Sequence, residues 1–177
     1  MEIQNVVASI NLDTNLPLIE LLDHLPKSEY EPEQFPALIW RLENRKASFL
    51  IFKTGKIVCI GSKTVKAARE AFDNLISKLR KAKIKGIPRK YRVKVENVVA
   101  TDQITDKLDL DNIAFDLRKS EYEPETFPGI VYRIYEPKAS FLLFSSGKIV
   151  CAGAKKITDV KKAIKQLEKD LKEIDAI

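Results

Sequence analysis

With 177 residues, 45% of them apolar and 32% charged, the chain is long enough for one ample core or two small ones and should fold without a disulfide or metal staple. No run of about 18 apolar residues appears, and the start "MEIQNVVASINLD" lacks the basic-then-apolar layout of a secretory signal, so an intracellular protein without a membrane partner is expected. The 31 Lys and Arg against 25 Asp and Glu leave a formal charge of +6, which permits an anionic partner without requiring one.

From the amino end, a strand through Asn5, Val6, Val7 and Ala8 comes first. In "TNLPLIELLDHL" the spacing puts Leu16, Ile19, Leu22 and Leu25 on one helical stripe, behind the capping candidates Thr14 and Asn15. The loop "SEYEPEQFP", Ser28 to Pro36, comes next and ends with a phenylalanine held between polar turn residues and a proline. A large apolar side chain on a loop raises a question of function, because loops are ordinarily polar. Short β-rich runs come after it, "ALIWRL", "ASFLIF" and "KIVCIG" with "KTG" as a turn, and these predict an antiparallel meander. Val65, Ala68, Phe72, Leu75 and Leu79 then mark a longer amphipathic helix. The basic stretch Lys78 to Lys94, with Gly86 and Pro88 inside it, reads as a linker.

After the linker the pattern begins again. A shift of 92 positions sets Asn5-Val6-Val7-Ala8 on Asn97-Val98-Val99-Ala100 and "SEYEPEQFP" on "SEYEPETFP", Ser120 to Pro128, with no gap. The same shift sets Lys46 to Leu50 on Lys138 to Leu142 and Gly55 to Cys59 on Gly147 to Cys151. The second copy repeats the short helix with Leu110, Ile113, Ala114 and Leu117, and the long one with Ile157, Val160, Ile164, Leu167 and Leu171. The chain is therefore a duplication: residues 1–92, with the linker from about 80, and residues 93–177. Two copies are too few for a solenoid, so a pseudo-twofold α+β molecule is expected.

Strand parity adds a functional hint. Phe49 and Ile51 point to one side of their strand, Leu50 and Phe52 to the other, and Ile57 and Cys59 oppose Lys56 and Val58. Both faces of the sheet are apolar, yet two helices per copy cover roughly one of them. The uncovered face, fringed by Arg41, Lys46 and Lys56 and by their mates Arg133, Lys138 and Lys148, should meet something flat, apolar and anionic at its edges.

At this point the residues carry a resemblance. The repeats "EYEPEQFP" and "EYEPETFP", "FKTGKIV" and "FSSGKIV", and the "QNVV" and "ENVV" strands resemble the duplicated core of the TATA-box-binding protein family in its compact archaeal form, over residues 3 to 172. That resemblance implies a saddle, one curved antiparallel sheet with helices on its convex back, seated on double-stranded TATA-box DNA. Minor-groove insertion and kinking are the known behaviour of that family, so the bend is inherited from the resemblance and not read from periodicity.

Position by position, the resemblance makes Phe35 with Phe52, and Phe127 with Phe144, two wedge pairs that open base steps at either end of the site. Asn5 and Asn97 would hydrogen-bond base acceptors near the pseudodyad, while Val7, Leu50 and Val58 and their mates Val99, Leu142 and Val150 press on the groove floor. Next to each strand-end glycine the family often has a threonine, but this chain has Ile60 and Ala152, so apolar packing is expected to replace part of the central polar readout. Gln34 stands where some relatives carry a basic residue, which removes one phosphate contact from those expected of Arg41, Lys46, Lys56, Arg133, Lys138 and Lys148. Glu123, Pro124 and Glu125 fall where the family docks transcription factor B, which brings RNA polymerase indirectly. The exposed face would also allow a homodimer off DNA. Cytoplasmic, nucleoid-associated localisation follows if the source is archaeal, and nuclear if it is eukaryotic.

Catalytic and metal readings find little support. The one histidine, His24, lies on a helix, where solvation or capping is its expected role. Cys59 and Cys151 each sit in "KIVC" and read as buried strand thiols, not as ligands or a disulfide. "TGKIV" has the look of a phosphate-binding loop but has Leu50 and Ile57 where that motif needs Gly and Ser or Thr. Glu29, Glu31 and Glu33 read as solvated turn charges. Neither a cofactor nor a metal is expected. The alternative is a small-molecule-binding or hydrolytic α+β domain that uses the apolar face as a ligand cavity, and salt-sensitive binding to A·T-rich duplex would separate the two.

Overall fold

A computed structural model describes residues 1–42 and 47–177. Lys46, expected at a phosphate, lies outside the described residues. In chain order the elements are β1 (Glu2–Asn11), α1 (Leu18–His24), β2 (Ser28–Glu29), β3 (Ala37–Leu42), β4 (Ala47–Phe52), β5 (Lys56–Ser62) and α2 (Val65–Lys81). The second set is β6 (Lys94–Gln103), α3 (Leu110–Asp116), β7 (Ser120–Glu121), β8 (Gly129–Tyr135), β9 (Lys138–Phe144), β10 (Lys148–Ala154) and α4 (Ile157–Glu173). Each copy thus reads strand, helix, strands, helix, an α+β fold with antiparallel pairing. By contact the chain divides into Asn5–Glu96 and a second unit of Asn97–Ile177 together with Met1–Gln4.

Within the Asn5–Glu96 unit the strand order is β2-β3-β4-β5-β1. Alternation along the strands sorts the side chains cleanly. Leu38 and Trp40 of β3, Phe49 and Ile51 of β4, Ile57 and Cys59 of β5, and Ala8 and Ile10 of β1 are buried on one face. Against that face lies α2, whose buried Ala68, Ala71, Phe72, Leu75, Ile76 and Leu79 recur at helical spacing. Phe49 anchors the contact, its ring stacked 5.8 Å from Trp40 and edge-on to Phe72 at 5.3 Å. The Trp40 indole N–H is not lost in this core, since it donates to the Pro26 carbonyl at 3.1 Å. Thr64 caps α2 by accepting from the Ala67 amide, and Lys78, Arg80 and Lys81 suit its carboxyl end.

The second unit has the order β6-β10-β9-β8-β7 and the same alternation, with Phe141, Leu143, Ile149 and Cys151 buried beneath α4. Tyr132 takes the place of Trp40 and donates its hydroxyl to Asp170 of α4 at 2.8 Å. Burial first, and that carboxylate second, hold its phenol above the ordinary range.

Four features depart from the sequence reading. Neither Thr14 nor Asn15 caps the first helix: α1 starts at Leu18 behind Pro17, with no side-chain cap. Leu18 and Leu21 then face the core and Ile19 is 76% exposed, so the stripe is rotated from the expected one. The expected linker is shorter, because α2 runs through Lys81. The segment beyond α2 is tied down: Arg80 donates to the Pro88 and Arg89 carbonyls at 2.5 and 3.0 Å, and the Tyr91 hydroxyl bonds Asp73. Finally, each duplicated loop opens with a two-residue strand, β2 or β7, that the sequence did not announce.

Candidate nucleic-acid interface

The face of each half-sheet turned away from its helices carries the residues singled out in the sequence. In the Asn5–Glu96 unit the register lines up Ile39, Leu50, Val58 and Ser9 in one row and Arg41, Ser48 and Ile60 in the next. In the other unit the rows are Val131, Leu142, Val150 and Thr101, then Arg133, Ser140 and Ala152. Leu50, Val58, Ile60, Leu142, Val150 and Ala152 are all partly exposed, as are Val7 and Val99, while their strand neighbours are buried. Ile39 and Val131 were not named from sequence, although the parity of "ALIWRL" and "GIVYRI" places them by the same rule.

The phenylalanines converge in pairs. Phe35 lies 6.2 Å from Phe52, and Phe127 lies 5.9 Å from Phe144, with interplanar angles of 63° and 65°. The duplicated loop explains how each first ring is aimed. The Phe35 amide donates to the Glu31 carbonyl at 2.9 Å, and the Phe127 amide to the Glu123 carbonyl at 2.9 Å, so a single helical turn ends on the ring. The proline after each ring holds its own φ and biases the phenylalanine toward extended backbone. Phe35 is 40% exposed, whereas the core rings Phe49, Phe72 and Phe141 are fully buried.

Asn5 and Asn97 sit on β1 and β6 beside matched bulges. The Gly61 amide donates to Asn5 Oδ1 and the Gly153 amide to Asn97 Oδ1, both at 2.7 Å. Those glycines have φ of +95° and +96°, where a side chain would be strained. A backbone N–H accepts nothing, so the amide oxygen must face it, and the amide NH2 group is left as the outward donor.

The cations divide into two sets. Lys56, Lys138 and Lys148 are exposed at the first residues of β5, β9 and β10. Arg41 and Arg133 instead reach back to Glu29 and Glu121 of the short strands, at 3.0 and 2.5 Å. Glu29 is thus an ion-pair partner as well as a turn charge. Exposed pairs of this kind are worth about 0 to 1 kcal/mol, so a phosphate can displace the carboxylate. The net charge lies elsewhere. Nine of the 31 Lys and Arg fall between residues 78 and 94, which contain no acid, and the remainder of the chain has 22 basic against 25 acidic residues. The surplus therefore belongs to the end of α2 and the segment bonded to it.

Glu123, Pro124 and Glu125 are exposed in the loop between β7 and β8. Pro124 borders a hollow of about 740 Å³ with Leu108, Leu110 and Tyr122. His24 is exposed, and "TGKIV" runs into strand β5, not a helix. Both thiols are free and buried, with burial pushing Cys59 up and Cys151 up to about 11. Among the described residues no group of three or more His, Cys, Asp or Glu could hold a metal ion, and no helix is long and apolar enough to cross a membrane.

An α+β fold of two matched copies, each with an open, partly apolar sheet face, defines a class that comparison with known proteins makes specific. The model of the family described as transcription factor TFIID (or TATA-binding protein, TBP) matches residues 1–82 and 92–174. A TATA-box-binding protein of Pyrococcus horikoshii is 42% identical over 181 residues, covering 100% of this chain and 92% of its own. One from Picrophilus torridus is 44% identical over 177 residues, covering 99% and 96%. Methanococcus jannaschii TBP superimposes with a TM-score of 0.91 at 41% identity, covering 97% of this chain and 98% of that one. The chain belongs to the TATA-binding protein family, a family of transcription factors and not of enzymes.

Proposed function

We propose that this chain is a transcription initiation factor that binds the minor groove of TATA-box DNA with the open face of its sheet, kinks the duplex with its phenylalanine pairs, and recruits transcription factor B and through it RNA polymerase. The observation that carries this reading is the open face itself: rows of half-exposed aliphatic side chains, each ending near an aromatic pair, repeated in two units of a chain of this family. Soluble proteins seldom leave such a surface without a partner. Aliphatic packing without polar donors suits the floor of an A·T groove, where the guanine amino group would intrude. Lys56, Lys138 and Lys148 supply phosphate contacts, and Arg41 and Arg133 do so by exchanging carboxylate for phosphate. Titration with an end-labelled A·T-rich duplex tests the reading: tight binding that weakens steeply with salt, accompanied by bending, is expected. Equal affinity for a G·C duplex of the same length, without bending, would sink it.

Direction along the promoter needs an asymmetric surface, and the loop of Glu123, Pro124 and Glu125 offers one. Its acids repel phosphate and suit a basic protein, and the hollow beside Pro124 gives that protein apolar purchase. Charge reversal, Glu123→Lys with Glu125→Lys, is expected to abolish the ternary complex with transcription factor B while leaving DNA binding intact. Gel shifts with and without the factor read both, and equal recruitment by the variant would refute the assignment.

A further inference from the structure

Beneath the phenylalanine pairs the two copies differ by one methyl group. The shift of 92 sets Ala37 on Gly129, and each stands opposite the strand phenylalanine, Ala37 across from Phe52 and Gly129 across from Phe144. A Cβ at Gly129 would lie 2.9 Å from the Leu143 carbonyl oxygen, 3.0 Å from Cε1 of Phe127 and 3.2 Å from Cε1 of Phe144. The Phe127 and Phe144 rings therefore occupy the space a methyl would need. In the other copy that methyl is present and buried, the rings stand 6.2 Å apart against 5.9 Å, and Phe35 is more exposed than Phe127. One pair rests on bare backbone, and the other rides on Ala37.

We propose that the Ala37/Gly129 difference makes the two wedges unequal and so biases which way round the protein sits on a duplex whose two ends open with unequal ease. The inference rests on the reading that these rings enter base steps. Pyrimidine–purine steps such as TA open more readily than purine–purine steps, so the two orientations differ in deformation energy whenever the wedges differ in reach. The raised pair, Phe35 with Phe52, spreads its base pairs further and takes the flexible step; the seated pair takes the stiffer one. Orientation preference is then a difference of two affinities set inside the protein, before any partner binds.

The test uses the full chain alone, labelled through Lys161→Cys on exposed α4, with a duplex carrying a TA step at one end, a purine–purine step at the other and a dye at one end. Single-molecule energy transfer then resolves the two orientations as two populations. Unequal populations are expected for the unsubstituted chain, a reversed ratio for Ala37→Gly with Gly129→Ala, and near equality for Ala37→Gly alone. That last variant adds no atom and stays informative if Gly129→Ala destabilises the fold. Equal populations in the unsubstituted chain, or a ratio unmoved by Ala37→Gly while binding and bending persist, would overturn the proposal. Absence of binding or bending in the unsubstituted chain would instead remove the DNA reading beneath it.

Discussion

Replacing Phe127 and Phe144 together with alanine is expected to abolish the kink at one end of a bound A·T-rich duplex and leave the other end bent; Phe35→Ala with Phe52→Ala should do the reverse. A wedge offsets lost base stacking of a few kcal/mol per step, so losing one pair should weaken binding by about thirtyfold, the equivalent of about 2 kcal/mol. Energy transfer across a duplex labelled at both ends, repeated with each end marked, separates the two kinks. The stability readout runs the other way. These rings are part-exposed and lean chiefly on each other, whereas Phe49 is sealed between Trp40 and Phe72. Phe49→Ala should cost about 3 to 5 kcal/mol of folding free energy, and the wedge variants far less. Wedge variants that lose several kcal/mol of stability but bend DNA normally would show that these loops serve the fold.

The second large effect concerns the asparagines, and the structure changes what should be substituted. Alanine at positions 5 and 97 would strand the Gly61 and Gly153 amides, each at a cost of about 1 to 3 kcal/mol where buried, so affinity and stability would fall together. Aspartate separates them. Asn5→Asp with Asn97→Asp keeps an acceptor for both glycine amides but replaces an outward donor with an anion, against a groove lined by adenine N3 and thymine O2 acceptors. The melting temperature should stay near that of the unsubstituted chain, while affinity for A·T-rich duplex falls by more than a hundredfold, the equivalent of about 3 kcal/mol. Retained affinity would make the asparagines bulge supports and nothing more.

Much of the site was legible because strands obey a period of two. Once Phe49 and Ile51 are assigned to the core, Leu50 and Phe52 can only face away, and the duplication repeats the deduction. Short helices are harder to phase. In α1 leucine or isoleucine stands at 16, 18, 19, 21, 22 and 25, so two stripes compete, and placing the start before Pro17 selects the wrong one. In α3 the position matching Ile19 is Asp111, which removes the ambiguity, and Leu110, Ile113 and Leu117 are buried as expected. The ion pairs of Arg41 and Arg133 were hidden for another reason. They depend on strands of two residues, too short for any pattern to mark. Nor does residue type tell that each asparagine spends its oxygen on a bulge and keeps only its NH2 group for a ligand.

Residues 1–4 and 93–96 are equivalents under the shift of 92, yet each tetrapeptide belongs by contact with the other copy's unit. The Met1 ammonium bonds Asp102 at 2.6 Å and Gln4 donates to Thr101 at 2.9 Å, while Ser9 donates to Glu96 at 2.8 Å. A lone ancestral copy could complete neither arrangement by itself. It would have lent its first four residues to a second molecule and borrowed four in return, so the gene that later doubled already encoded an obligate pair. On that history the fusion joined two chains that had long been exchanging their ends, and a present-day cut between residues 92 and 93 would yield two halves that must find each other again before either is whole.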